Sequence, residues 1–180
     1  MLGSLISKKA LFLLTSPGVI AHELAHRLTC SVLGVKVKEV KYLQLSGRQA
    51  GYVIHEVPKE YWKRIAIAFS PFLFNIFVAG ALVWVGLQQF PDTYLRYGLY
   101  WLSVASVTHS LPSNEDASSL WPHSKLGYLH PLFLITLPMM VGVYLVNLLS
   151  TFLMQFGFGV VVTIVLVRAL TDDPVGLSVL

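Results

Sequence analysis

Charge is what this sequence has least of. Only 12% of its 180 residues are Asp, Glu, Lys or Arg, about half the share usual in a soluble domain. Hydrophobic residues make up 55%, and the mean hydropathy is +0.67. That deficit excludes an ordinary soluble fold and predicts an integral, multi-pass membrane protein, in the cell membrane, with the lipid bilayer as a partner. Cysteine is nearly absent as well. Cys30 stands alone, so no internal disulfide can form and the redox compartment stays open. The formal net charge of +4 argues for no nucleic-acid partner and bears on membrane orientation instead. No internal repeat or low-complexity tract is visible.

Where charge is missing altogether, the gaps have the length of membrane spans. Residues 65–87 and 126–167 contain no Asp, Glu, Lys or Arg, and about 20 residues cross a bilayer. Spans are therefore predicted at about 11–33, 65–87, 94–111, 131–154 and 158–170. Gln155-Phe156-Gly157-Phe158-Gly159 is the expected turn between the last two, and one long helix kinked at Pro138 is the alternative. Ser16-Pro17-Gly18 predicts a kink or a late start in the first span. Between the first two spans, Val35, Val37 and Val40 alternate with Lys36, Lys38, Glu39 and Lys41. A Gly-containing turn at 46–51 and the β-prone Tyr52-Val53-Ile54 follow, which reads as a β-hairpin over about 35–56. Its edge could pair with an extended peptide or be a plain surface feature. Asp172-Asp173-Pro174 ends the membrane part. The expected fold is mainly α: one polytopic membrane helix bundle of four or five spans, with a small membrane-associated hairpin after the first.

Inside the first span sits Gly18-Val19-Ile20-Ala21-His22-Glu23-Leu24-Ala25-His26, an HExxH motif. Residues four apart share one helical face, so His22 and His26 can aim their imidazoles at one metal ion, with Glu23 beside it. A Zn2+ ion held by two His and a carboxylate keeps a position for water, lowers its pKa to roughly 7, and leaves Glu23 to take the proton. The motif arises by chance in many soluble helices. Here each ionisable group costs roughly 2.5 to 3.5 kcal/mol on insertion scales, so the cluster demands a use. Lys8-Lys9 and the following apolar run could suggest a signal peptide, but cleavage after Ala21 or Ala25 would sever or discard the motif.

Two His do not complete a catalytic zinc site. The 35–64 connection holds seven Lys or Arg against three Glu, which places it in the cytoplasm, although Lys8 and Lys9 argue the other way. Either orientation puts residues 109–116 on the side of the HExxH helix's carboxyl half. There Glu115 and Asp116 are available and Asp116 is favoured; both would also suit a helix start. Asn75 reads as an interhelical hydrogen bond, and His55, His123 and His130 as interfacial residues.

These motifs resemble the site-2 protease family of intramembrane zinc metalloproteases, whose members pair HExxH with an Asn-x-x-Pro…Leu-Asp-Gly motif in a third core helix. Pro112 matches that Pro, His109 falls where the Asn would be, and Glu115-Asp116-Ala117 stands for Leu-Asp-Gly with a spacing one residue shorter. The resemblance covers roughly Leu11 to Ala117. It implies hydrolysis of a peptide bond in or near a transmembrane segment of a substrate protein, with zinc on His22, His26 and Asp116 and with Glu23 as general base. It also implies that His109 or Asn114 donates to the oxyanion, or that His109 is a fourth ligand or packed. The rival expectation is a metal-binding membrane scaffold or transporter component without peptidase activity. A CAAX-processing type of peptidase needs a Glu in a late span, and none stands there.

Overall fold

The computed structural model describes residues 2–45, 49–91, 93–122, 128–149 and 152–171. Six helices and one antiparallel hairpin follow in the order α1 (Leu2–Val32), β1 (Val37–Lys41), β2 (Tyr52–His55), α2 (Tyr61–Gln89), α3 (Tyr94–Thr108), α4 (Asn114–Ser118), α5 (Pro131–Leu149) and α6 (Phe152–Thr171). The chain is thus mostly helical with a small hairpin, as expected. Among the described residues, α2, α5 and Leu153–Thr171 are long and apolar enough to cross a membrane. The expected turn at residues 46–48, Asp92, His123 and Asp172-Asp173-Pro174 lie outside the described residues.

The late start expected at Ser16-Pro17-Gly18 is not there: α1 begins at Leu2 and runs through Pro17. Proline removes the amide that would bond the carbonyl four residues back, here that of Leu13. Ser16 Oγ donates to that carbonyl at 2.7 Å, so the helix mends itself. Nor do residues 155–159 turn; they lie inside α6. Gly159 serves close helix packing instead. A Cβ there would stand 2.5 Å from Thr108 Oγ1 and 2.8 Å from the Val104 carbonyl.

Helices α1, α2 and α3 pack mutually, and α6 lies against α2 and α3. The α1–α3 crossing centres on Gly18, where a Cβ would come within 1.9 Å of the Ala105 carbonyl oxygen. Only a glycine lets the two backbones meet there. The hairpin pairs Lys41 with Tyr52 and Val37 with His55, with an irregularity between Val37 and Glu39. It packs on α1. Lys63 closes the end of α1 by donating to the Leu33 carbonyl at 3.3 Å. A smaller core of Ala68, Leu120, Phe133 and Met140 joins α2 to α5 and the end of the α4 segment.

Candidate metal centre

His22 and His26 occupy one face of α1, and their rings stand 5.0 Å apart. Each imidazole is held from behind. His22 Nδ1 donates to the carbonyl of His109 at 2.7 Å, and His26 Nδ1 donates to that of Ile67 at 3.0 Å. A carbonyl can only accept, so both rings carry a proton on Nδ1 and turn Nε2 forward, as a lone pair when the ring is neutral and as a donor when it is protonated. Forward lies Asp116, with Oδ1 at 3.0 Å from His26 Nε2 and Oδ2 at 3.6 Å from His22 Nε2.

The Asp116 carboxylate is itself oriented. Ser113 caps α4, accepting from the Asp116 amide at 3.1 Å, while its own N–H and Oγ donate to Oδ2 at 2.7 and 2.8 Å. Asp116 thus takes the helix-start place the sequence offered it while its carboxylate faces both histidines. Burial works against ionising it. Hydrogen bonds to His22 and His26 and their charges outweigh that, and hold its carboxyl well below the usual carboxylate range. The stability its ionised form contributes is full above the unfolded carboxylate range and is lost progressively as pH falls from there through the lowered folded value.

His22, His26 and Asp116 each offer one ligand atom, all within 4.8 Å of one another. Ligand atoms on a tetrahedron with bonds of about 2.0 to 2.1 Å stand about 3.3 Å apart; His26 Nε2 lies 3.0 Å from Oδ1 and His22 Nε2 3.6 Å from Oδ2, so each histidine faces a different carboxylate oxygen. The donor set of two forward-facing imidazoles and one carboxylate fits Zn2+. The same contacts also have the geometry of His–Asp ion pairs.

Glu23 follows His22 and is only 7% exposed. Gly51 of the hairpin sits over it, where a Cβ would fall 2.7 Å from Glu23 Cγ. Together these groups line a cavity of about 350 Å³ that reaches from the cluster past Pro112 to Asn147 of α5 and Gln155 of α6. Asn147 ties α5 to the α3–α4 loop by donating to the Pro112 carbonyl at 3.1 Å and to Asn114 Oδ1 at 3.0 Å.

The other singled-out residues fall differently. The His109 ring does not join the cluster. Its Nε2 pairs with buried Thr15 Oγ1 at 3.0 Å, and its edge meets Phe12. What His109 brings to the site is its carbonyl, free of an in-helix donor because α3 ends there. His109 also lines the cavity. Glu115 is exposed and outside the cluster. His55 lines the cavity, with Nδ1 bonded to the Glu56 carbonyl, and His130 lies against Tyr61. Asn75 makes the interhelical hydrogen bonds expected of it: fully buried, it donates to the Gly18 carbonyl at 3.4 Å and to that of His109 at 3.1 Å. At the helical rise of about 1.5 Å per residue, Ile67 and Asn75 lie roughly 9 and 21 Å along α2 from Tyr61. The carbonyls that hold the two histidines are therefore fastened well inside the most extended apolar helix.

Comparison with protein-family models, with curated proteins and with solved structures finds no match to this chain.

Proposed function

We propose that this chain is a multi-pass integral membrane protein, with α1 crossing the bilayer beside the apolar helices and the shorter α3 lying within it. In the cell membrane it acts as a zinc-dependent endopeptidase of the site-2 protease kind, cutting substrate proteins in or near a transmembrane segment. One observation carries the reading: two Nε2 atoms and a carboxylate converge beside a buried Glu23, at a depth along α2 where ionisable groups are costly.

His22, His26 and Asp116 would hold the ion. Once bound, it would polarise water and the scissile carbonyl, as catalytic zinc does. Glu23, adjacent to the ligands and sheltered by the hairpin, takes the proton from the water and returns it to the leaving amine. The unpaired edge of the hairpin presents backbone groups to a substrate strand, and so offsets the hydrogen bonds a helix loses on unwinding. The walls of the cavity exclude lipid while Asn147 and Gln155 offer amides to freed backbone.

The deciding experiment compares wild type with Glu23→Gln, purified in detergent, for zinc content and for cleavage of single-span proteins. The expected outcome is equal zinc and a cleavage rate lowered by roughly 10²- to 10⁴-fold. The self-satisfied His–Asp contacts favour a second reading, a metal-binding scaffold or transporter component. Bound zinc without any cleavage by the wild type would select it.

A further inference from the structure

Pro71 lies in the interior of α2. Having no N–H, it removes the in-helix donor of the carbonyl four residues back, and its ring pushes that carbonyl off the helix axis. Four residues back is Ile67, whose carbonyl accepts His26 Nδ1 at 3.0 Å. The same defect at Pro17 is closed within α1 by Ser16. At Ile67 a serine also helps, Ser70 Oγ at 2.9 Å, yet the carbonyl still accepts from His26 on α1. One turn beyond Pro71 stands Asn75, whose amide holds the carbonyl that accepts His22 Nδ1. Its NH2 must face the two carbonyls, since they can only accept, and Ser106 Oγ steadies its backbone by donating to its carbonyl at 3.0 Å.

We propose that Pro71 and Asn75 are positioning residues that aim the two histidines: Pro71 by freeing the Ile67 carbonyl for His26, Asn75 by fixing the His109 carbonyl on His22. The inference rests on the metal-centre reading above. It gives α2, which supplies no ligand, control over both imidazoles. Backbone partners behind metal-bound histidines fix tautomer and ring orientation, and their loss costs roughly 10- to 100-fold in metal affinity.

The test uses the full chain in detergent, with Zn2+ affinity read by chelator competition and geometry read from the visible absorption of the Co2+-loaded protein. Pro71→Ala restores an amide that competes for the Ile67 carbonyl, and Asn75→Leu removes the second clamp. Both are expected to weaken Zn2+ binding by roughly 10-fold or more and to shift the Co2+ bands. Pro71→Ala should do so without lowering thermal stability, because alanine suits a helix better than proline. A merely structural role would move affinity and stability together. Ser103→Ala, which breaks the buried 3.1 Å bond between Ser103 and Thr163, serves as the reference, expected to lose stability and keep affinity. Zn2+ binding by Pro71→Ala and Asn75→Leu within about twofold of wild type, with unchanged Co2+ bands, overturns the inference. If Asn75→Leu does not fold, Pro71→Ala alone decides. If wild type binds no Zn2+, or His26→Ala binds it as tightly, the metal centre itself fails, and this inference with it.

Discussion

Ser113 shows how a residue outside the ligand set can govern it. Its hydroxyl both caps α4 and grips Asp116 Oδ2, leaving Oδ1 to face His26. Ser113→Ala should therefore have two separable effects. Loss of the cap costs about 1 kcal/mol of stability, seen as a lowered melting temperature. A carboxylate released to rotate loses roughly 10-fold or more in Zn2+ affinity, seen in chelator competition; unchanged affinity would reduce Ser113 to a plain cap. At this scale the sequence was legible wherever chemistry belongs to side chains at a fixed local period. His22, Glu23 and His26 are separated by helical geometry alone, and Asp116 was reachable because acids near the membrane are so few. The part played by His109 was hidden for a physical reason. What reaches His22 is a carbonyl that any residue would supply at that point, so the identity of the side chain carried no signal. Pro71 did leave one, since a mid-helix proline always orphans a carbonyl; what it could not tell was which neighbour would take it.

Among the elements, the close approach of α1 to α3 decides whether the site exists, because His22 lies one turn past Gly18 and its partner His109 one turn past Ala105. A methyl at Gly18 meets backbone, which no rotamer change relieves. Gly18→Ala is expected to cost at least the 1 to 3 kcal/mol or so of an overpacked core and to abolish tight zinc binding. Gly80→Ala in α2, where a Cβ meets nothing within 4 Å, should be neutral or stabilising by about 0.5 to 1 kcal/mol. Thermal unfolding in detergent with parallel zinc titration checks both, and equal behaviour of the two variants would refute the crossing. Glycines are where the element-scale reading of the sequence went astray. Gly157 and Gly159 have the composition of a turn, but turn and close helix crossing use the same missing side chain. Only the neighbour, here Thr108 on α3, distinguishes the two uses.

For the molecule as a whole, hydropathy located apolar helices but not which of them gather around the site. Helix α3 has only 15 residues, short of the roughly 20 needed to span, and after it the chain returns as a loop through the buried Ser110, Pro112 and Leu120. In the proposed placement this segment would lie at membrane depth, where irregular backbone is tolerated if protein covers it or it lines a cavity, and it is covered and lines the cavity here. The shortness of α3 is thus what leaves room for Asp116 to approach α1. In the proposed multi-pass arrangement α2 crosses the bilayer between the hairpin and α3, so the hairpin and the start of α3 would face opposite sides. In that arrangement the Lys- and Arg-rich 35–64 segment would favour a cytoplasmic hairpin, against the opposing pull of Lys8 and Lys9. With buried Cys30 replaced by Ala as background, Lys38→Cys should react with a membrane-impermeant maleimide only from the cytoplasmic face of sealed vesicles, and Thr93→Cys only from the opposite face. Reversed labelling would invert the orientation and keep the site. Labelling of both positions from one side would mean that α2 does not cross, and a metal centre fastened along its length would then not lie within the membrane.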